Sequence, residues 1–276
     1  MIGRDYYILH QEKINIQSGE PLSTVSSPLI NALILLKKKW PLRVGRVSLI
    51  VPDSYVSCRP IHINGFIRET EKYSRVLHVF NQQSDFPIDD LYVDIVERSH
   101  RESKQQEFTV YALKKEVVRD FLKAVKQARF IPVLLDFHSN AFLTIWREIA
   151  RRSNKKSGWM LVELHVDRLK VGLYCPDNGE YYRDCSITMG DSPQVLNEQI
   201  QRQIQLYLAS KSTHRLEGIW LLGGNKVIAA WLTETVQLPV ETVELPHSHH
   251  DDFTLAIGAA ISGKRWLELE DSYDGT

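Results

Sequence analysis

The sequence has little sulfur, no net charge and no cysteine pair. Its 276 residues include three cysteines, and 34 Lys and Arg residues balance 34 Asp and Glu residues. An odd cysteine count without a Cys-x-x-Cys pair argues against a disulfide framework, and we expect Cys58, Cys175 and Cys185 to be small buried residues in a reducing compartment. A neutral chain also lacks the basic excess that dominant nucleic-acid binding requires, so we expect no direct nucleic-acid partner.

Membrane and export signals are missing as well. No apolar run approaches the ~20 residues of a membrane span. The N-terminus has no basic region followed by an apolar core and a cleavage site, so export is not expected. With 43% hydrophobic and 25% charged residues, the composition is that of a soluble globular protein. The length favours two domains, and we expect a cytoplasmic protein.

The sequence lacks the common catalytic motifs, namely Gly-x-Ser-x-Gly, a Walker loop, His-Glu-x-x-His and Gly-x-Gly-x-x-Gly. The segment His247–Asp252 contains ligand types that suit zinc, nickel or copper. However, adjacent histidines on a loop seldom converge on one ion, and no second cluster completes a site. We therefore predict no metal site there and expect Asp252 to cap the last helix.

The second half shows a clear order of elements. The polar segment Arg151–Gly158 separates a helical pattern from a strong strand and predicts a domain boundary near residue 155. Apolar periodicity and turn residues then predict three antiparallel strands followed by helix, strand, helix, strand and helix. The predicted ranges are Trp159–Leu164, Leu169–Tyr174, Tyr181–Met189, Pro193–Ser210, Gly218–Leu222, Lys226–Thr235, Val240–Glu244 and Asp252–Ser262.

The first half repeats this order around an inserted block. Its predicted elements are strands at Tyr6–Leu9, Lys13–Ile16 and Pro21–Val25, then Ser27–Trp40 (helix), Val47–Val51 (strand), Lys114–Gln127 (helix), Ile131–Leu135 (strand) and Asn140–Arg151 (helix). The block Tyr55–Ala112 contains two or three strands and a helix at Arg68–Asn81. This duplicated order predicts an α/β, actin-like (RNase H-like, duplicated) fold. Lobe I would span 1–155, with a small α+β subdomain inserted at about 55–112, and lobe II would span 156–276.

A working actin-like ATPase needs glycines and an Asp in two hairpin turns, so that the backbone can approach the phosphates and a carboxylate can hold Mg²⁺. The two predicted turns, Leu9–Lys13 and Glu163–Arg168, contain no glycine. Only the segment Leu221–Gly224 keeps the expected form, and we interpret Gly223 and Gly224 as a vestigial nucleotide loop, although a tight turn explains them equally well. We predict no ATPase activity and no cofactor, with binding of Mg-ATP as the alternative.

Two basic runs are present, each with two interpretations. The first comprises Lys37, Lys38, Lys39, Arg43 and Arg46. The second comprises Arg147, Arg151, Arg152, Lys155 and Lys156. Cations at helix C-termini complement the helix dipole, and a solvated helix end accounts for both runs. The alternative is a patch that faces an anionic membrane surface.

Several segments of the chain, in order, resemble the PilM family of type IV pilus assembly, especially its shorter HofM-like members in DNA uptake. Val51–Ile61 has the family's valine and proline, then valine, arginine and isoleucine. Phe86–Asp94 resembles its proline-rich acidic region, Val110–Val118 its Ala-x-Lys-Lys-Glu segment, and Phe130–Ala141 its Pro-x-x-x-Asp-x-x-x-x-Ala segment. In the second half, Met189–Asp191, Leu221–Gly224 and Asp252–Ala260 fit the expected turns and closing helix. The family's Asp-x-Gly pattern is missing from both hairpins.

The resemblance implies a non-catalytic cytoplasmic adaptor of a type IV pilus or DNA-uptake (competence) machine. The implied partner is the N-terminal cytoplasmic tail of a PilN-like, single-span inner-membrane protein, with a pilus assembly ATPase as a second candidate. The adaptor would lie at the inner face of the bacterial inner membrane, associated with it through the partner. The alternatives are a nucleotide-binding actin-like ATPase and a cytoplasmic adaptor of a type II secretion system.

The resemblance places the tail in a groove between the lobe I core and the inserted subdomain. Two packed subdomains can supply the concave, largely apolar cleft that a short peptide needs. The inserted block offers the aromatic residues Phe66, Tyr73, Phe80 and Tyr92, with Arg59 as an anchor for a carboxylate or a backbone carbonyl. Core packing or ordinary surface is the alternative explanation for each of these side chains.

Overall fold

A computed structural model describes residues 22–39, 45–64, 68–98, 105–155, 158–165, 167–175, 179–187, 193–210, 215–224, 226–245 and 253–273. Contacts within the chain divide these residues into two compact units. The first unit contains the described residues up to Phe137, and the second contains those from His138 onward. The predicted lobes, 1–155 and 156–276, stay a prediction, because a contact unit and a repeat of the fold need not end at the same residue.

The first layer of the first unit is a parallel strand pair with two helices. Its elements are α1 (Leu22–Lys39), β1 (Arg46–Val51), α3 (Lys115–Gln127) and β5 (Ile131–Phe137). Strand β1 pairs with β5, and α1 packs against α3. Val125, Ala128 and Phe130 form the buried centre, with Leu33 and Val47 against it. The apolar stripe of α3 therefore faces this layer, as its 3.6-residue period predicts.

The inserted block forms a sheet of its own. It comprises β2 (Val56–Asn64), α2 (Glu69–Gln83), β3 (Leu91–Arg98) and β4 (Gln105–Lys114). The strands are antiparallel in the order β2-β4-β3. Helix α2 packs on one side of this sheet through Val76 and Phe80, which meet Ile61, Phe108 and Val110 in a small separate core. The content of three strands and one helix agrees with the sequence prediction.

The second unit contains a five-stranded sheet with helices. Its elements are α4 (His138–Ser153), β6 (Trp159–Leu164), β7 (Arg168–Cys175), β8 (Gly179–Ser186), α5 (Pro193–Ser210), β9 (Gly218–Leu222), α6 (Lys226–Val236), β10 (Val240–Val243) and α7 (Thr254–Tyr273). The sheet order is β10-β9-β6-β7-β8. Strands β6, β7 and β8 are antiparallel, whereas β6, β9 and β10 are parallel. The element order is the predicted one.

Three tryptophans organise the core of the second unit. The Trp146 indole N–H donates to the backbone carbonyl of Trp159 at 2.6 Å. The rings of Trp159 and Trp220 stack with their centroids 5.4 Å apart. Residue 218 must be glycine for this packing, because a Cβ there would lie 2.6 Å from the Trp159 ring. The hydrogen bond from Trp146 thereby fixes helix α4 to strand β6.

The structure corrects three expectations from the sequence. Residues 22–25 belong to α1 rather than to a third strand, and the preceding residue is a proline, which favours the start of a helix. Helix α7 continues to Tyr273, eleven residues beyond the predicted end. Cys58 on β2 is exposed and Cys185 on β8 is half-buried, so neither is the buried cysteine that the sequence predicts. The predicted strands Tyr6–Leu9 and Lys13–Ile16 lie outside the described residues.

Candidate functional site

The structure does not bring the predicted partner-binding residues together. Phe66 lies outside the described residues. Phe80 is 1% exposed and fills the core under α2. That position corrects its prediction as a surface contact, since the apolar stripe of α2 must be buried against the sheet. Tyr73 on α2 and Tyr92 on β3 are 57% and 54% exposed.

The two faces of the three-stranded sheet have different surroundings. Ile61, Val110 and Ile95 point to the α2 side, where they belong to or pack against the core. Because side chains alternate along a strand, their sequence neighbours lie on the opposite side, which we call the open face. Three rows of cross-strand neighbours form the open face: Val56 with Leu113 and Tyr92, Cys58 with Tyr111 and Asp94, and Pro60 with Thr109 and Val96.

The open face carries exposed apolar side chains. Tyr92 and Val96 are large hydrophobic residues that are 54% and 41% exposed. Tyr111 and Leu113 are half-buried beside them. An exposed apolar strip on a sheet is a surface that a peptide or another protein can cover.

Tyr111 marks the place where the inserted sheet meets the first layer. Its ring lies 5.3 Å from that of Phe137, the last residue of β5. Arg98, the last residue of β3, donates to the Thr109 hydroxyl at 3.2 Å and to the Tyr111 hydroxyl at 3.4 Å. These contacts fix the centre of the open face next to the end of β5.

Arg59 lies on the other side of the sheet. Its register partner on β4 is Val110, which is buried under α2. Its guanidinium forms an ion pair with Asp85, just after α2, at 3.3 Å. Arg59 and Tyr92 therefore do not line one surface, and the prediction that they contact the same ligand needs correction. The pairing of both strands with β4 places the two side chains on opposite faces, and the sequence alone does not give this register.

Two lysines hold the aromatic residues at one end of the sheet. The Lys114 ammonium lies 3.7 Å from the centre of the Phe86 ring, and the Lys115 ammonium lies 5.6 Å from that of Tyr92. Lys115 also donates to the Asp89 carbonyl at 2.7 Å. Cation–π contacts of this kind orient an exposed ring. The Lys-Lys pair thus positions Tyr92 at the edge of the open face.

Of the open face, sequence reasoning identified Tyr92 but not its apolar and aromatic neighbours Val96, Tyr111 and Leu113. A signal was present in β3, where Tyr92, Asp94 and Val96 alternate with the inward-facing Val93 and Ile95. A period of two identifies one face of a strand, but not which face stays uncovered.

A buried ion pair joins strands β6 and β7 beside the second hairpin turn. The Glu163 side chain is fully buried, and its carboxylate accepts from the Lys170 ammonium at 2.6 Å. His165 Nε2 lies 3.2 Å from the other carboxylate oxygen. Burial would raise the pKa of Glu163, but hydrogen bonds from His165, Lys170 and Thr254 together with the Lys170 charge hold that pKa below its ordinary value. The hairpin therefore holds an ionised carboxylate whose charge the Lys170 ammonium balances.

The predicted nucleotide loop is adjacent to this carboxylate. Glu163 is the register partner of Leu222, and Gly223 and Gly224 follow at the carboxyl end of β9. Gly223 has φ +77°, which glycine adopts readily, and a Cβ at Gly224 would collide with the Leu221 side chain. The turn itself accounts for both glycines, and their vestigial role in binding a nucleotide stays a prediction.

Two other expectations are addressed by the described residues. No group of three His, Cys, Asp or Glu side chains within the described ranges could hold a metal ion, and His247–His250 lie outside those ranges. Among the helices that the structure describes, none is both long and apolar enough to cross a membrane.

Comparison with known proteins identifies the type of fold. No family model and no curated protein matches the sequence. A solved structure described as the PilM-PilN type IV pilus biogenesis complex matches with a TM-score of 0.61 at 17% identity, over 86% of this chain and 85% of that chain. The fold is actin-like, as the sequence predicted.

Two further structures are less similar. The cytoplasmic domain of EpsL, an inner-membrane component of the type II secretion system of Vibrio cholerae, has a TM-score of 0.46 at 13% identity, over 84% of this chain and 80% of that chain. A Bacteroides thetaiotaomicron protein with an actin-like ATPase fold has a TM-score of 0.42 at 10% identity, with the same coverage of 84% and 80%.

Proposed function

We propose that this protein is a non-catalytic adaptor of a type IV pilus or DNA-uptake machine. It binds the N-terminal cytoplasmic tail of a PilN-like, single-span protein at the inner face of the bacterial inner membrane. The observation that carries this proposal is the similarity, over 86% of the chain, to a structure of the PilM-PilN complex. A fold by itself does not determine function, so the site must supply the remaining support.

The open face supports the binding role. It offers exposed apolar side chains, Tyr92 and Val96, next to the half-buried Tyr111 and Leu113. Tyr111 contacts Phe137 of the first layer, so the face adjoins the place where inserted sheet and first layer meet. An extended or helical tail with apolar side chains would cover this strip, and binding would order the tail at an entropic cost. Micromolar affinity for the isolated peptide is expected, and tethering to the membrane raises the effective concentration.

The second hairpin supports a non-catalytic role. Nucleotide phosphates carry negative charge and need backbone N–H groups or cations around them. In this chain, the hairpin holds the buried carboxylate of Glu163, and Lys170 is already paired with that carboxylate. The described turn residues also contain no glycine that would let the backbone approach a phosphate.

A peptide titration tests the binding site. The probe is a synthetic peptide of about 20 residues that reproduces the cytoplasmic tail of the PilN-like protein from the same cell, labelled for fluorescence anisotropy. Tyr92→Ala removes an exposed ring from the open face and is expected to weaken binding at least tenfold, which corresponds to about 1.4 kcal/mol. Tyr73→Ala is the matched control, because it removes an equally exposed ring on the α2 side.

We expect Tyr73→Ala to change the affinity less than twofold, with unchanged melting transitions for both variants. Equal effects of the two substitutions, or no effect of Tyr92→Ala, would contradict the assignment of the open face. Failure of the native chain to bind the tail at all would contradict the proposed function itself.

A further inference from the structure

Strand β10 lies at one edge of the five-stranded sheet and leaves a row of backbone groups open. Among the strands that the structure describes, β10 pairs only with β9. The Ile219 N–H donates to the Pro239 carbonyl at 2.9 Å. Because the backbone groups of a strand alternate in direction, Glu241 also faces β9, whereas the N–H and C=O groups of Val240 and Thr242 point away from it. No hydrogen bond between described residues uses these outward groups.

Two residues that could protect this edge are directed elsewhere. Native proteins block free edges with proline or with charged side chains. The carbonyl of Pro239 faces β9, so its ring nitrogen removes no donor from the outward row of Val240 and Thr242. The Glu241 carboxylate pairs with the Lys155 ammonium, just after α4, at 2.5 Å. The edge of β10 therefore keeps the groups that an added strand needs.

A groove lies beside this edge, between β10 and helix α6. It is an open cavity of about 540 Å³, a volume typical of binding sites. We define the α6–β10 groove by six residues: Lys226, Ala229, Ala230 and Thr233 of α6, with Val240 and Thr242 of β10. The side chains of its α6 wall beyond Lys226 are short, which leaves room for those of an added strand. The two residues with open backbone groups also line the groove.

The charges around the groove favour an acidic occupant. Lys226 is the first residue of α6, and Val243 at the end of β10 is level with Leu222 at the end of β9. Lys226 therefore lies at the end of the groove where β10 finishes. Within the described part of the chain it forms no ion pair, and the α6 N-terminus adds about half a positive charge. Glu241 is already neutralised by Lys155.

We propose that the α6–β10 groove binds an extended segment of another protein by strand addition. The segment forms hydrogen bonds with the outward backbone groups of Val240 and Thr242. It places β-branched side chains in the groove, since these suit a strand, and an Asp or Glu next to Lys226. In this mode of recognition the backbone bonds supply affinity, and the side-chain contacts supply specificity.

A second copy of this chain fits the groove less well. Two-fold pairing of two β10 strands is antiparallel, so it would bring Pro239 of the other copy opposite the Lys226 end instead of a carboxylate. The proposed site belongs to the second unit, whereas the open face belongs to the first. It therefore extends the proposed adaptor role to another partner.

Selection from a random peptide display library tests this proposal, because such a library does not require an identified partner. The full chain is the bait, and Thr242→Pro is the counter-bait. Proline at this position removes the outward N–H but no bond to β9, and edge strands tolerate it there. We expect enriched peptides that combine β-branched and acidic residues. Thr242→Pro should weaken their binding at least tenfold, whereas Thr242→Val, which keeps the N–H, should change it less than threefold.

A second pair of variants tests the groove without altering the strand. Ala230→Trp fills the groove from an exposed position of α6 and should weaken the same peptides at least tenfold, whereas Ala230→Ser should change their affinity less than twofold. This pair decides the outcome if Thr242→Pro shifts the melting transition. Lys226→Gln should weaken the acidic peptides and reduce the salt dependence of their binding. Bound peptide should slow hydrogen exchange at the Val240 and Thr242 amides.

Four results would overturn the proposal. The first is that no peptide prefers the native chain over Thr242→Pro and Ala230→Trp. The second is enrichment of basic peptides. The third is slow exchange of the Val240 and Thr242 amides before any peptide is added, which would mean that the chain covers its own edge. The fourth is a dimer of the native chain that Thr242→Pro abolishes. Tyr92→Ala should leave the selected peptides bound, so this test and that of the open face fail independently.

Discussion

At the scale of single residues, the second unit contains two buried carboxylates, Glu163 and Glu148, that are each paired with cationic side chains. Glu163 has one ammonium, from Lys170, and a nearby imidazole. Glu148 has three guanidinium groups. A buried charge is tolerated only when it is paired, and removing one partner leaves an uncompensated charge. The first site therefore acts as an internal ion pair between two strands, whereas the second joins α4 and α7 through one buried carboxylate.

Lys170→Met is expected to destabilise the protein by about 3–5 kcal/mol, because it leaves the Glu163 carboxylate buried without its ammonium. The double variant Glu163→Gln/Lys170→Met removes both charges and should recover most of this loss. Urea unfolding at pH 7 measures both effects. A loss under 1 kcal/mol for the single variant would show that the pair is not buried as described.

The same pair gives a pH dependence with a definite sign. The pKa of Glu163 is lowered on folding, so its contribution to stability is complete well above its ordinary value of 4.5 and is lost as the pH falls through the folded value. The double variant should therefore lose less stability between about pH 5 and pH 3 than the native chain.

The residue scale also shows where sequence reasoning about the site failed. Aromatic and cationic residues of the inserted block were identified as candidates by type, and Tyr92 is exposed as a partner contact requires. Arg59 and Tyr92 lie on opposite faces of the sheet because their common neighbour β4 sets the register. A one-residue shift in register would reverse this, and a single sequence does not determine it.

At the scale of elements, the buried strands were the most predictable. The ranges Trp159–Leu164 and Gly218–Leu222 agree in sequence and structure, since both strands are apolar runs, interrupted only by Glu163, that are bounded by polar residues or glycine. The end of α7 was not predictable from periodicity. Its last turns carry many charged residues, and the contact of Arg265 with Glu148 on α4 helps to hold them in place.

Gly258→Ala tests the contact between α4 and α7. A Cβ at this position would collide with the Ala141 carbonyl oxygen, a backbone atom that cannot rotate away. We expect a destabilisation of about 1–3 kcal/mol, despite the gain of about 1 kcal/mol in helix propensity. Ala256→Ser, at an exposed position of the same helix, is the control and should change stability by less than about 0.5 kcal/mol. A stabilising Gly258→Ala would mean that the helices do not approach so closely.

At the scale of the whole molecule, an actin-like fold carries the buried Glu163–Lys170 ion pair beside its second hairpin turn. The five-stranded sheet has the predicted order, and Glu163 and Lys170 lie opposite each other on the two strands that flank this turn. Such a fold can persist without an activity, because the sheet is stabilised by its core, whereas catalysis depends on a few loop residues. The fold was predictable from the order of elements, and this order depends on hydrophobic periodicity and turn residues.

The proposed absence of nucleotide chemistry has a direct measurement. Titration calorimetry of the full chain with Mg-ATP should give no saturable heat at ligand concentrations up to about 100 μM. A dissociation constant below about 10 μM, equivalent to about 7 kcal/mol of binding, would contradict the proposal. The reference is an actin-like ATPase with glycines in both hairpins, measured in the same buffer.

The central claim is that the inserted sheet of the first unit receives the tail of a membrane partner. Photo-crosslinking of the full chain with tail peptides that carry benzophenone at successive positions, followed by mass spectrometry, tests it most directly. We predict crosslinks to residues 56–64, 91–98 and 105–114, with further crosslinks near Phe137, and their loss in Tyr92→Ala but not in Tyr73→Ala. Crosslinks that instead map to residues 159–262 would contradict the account.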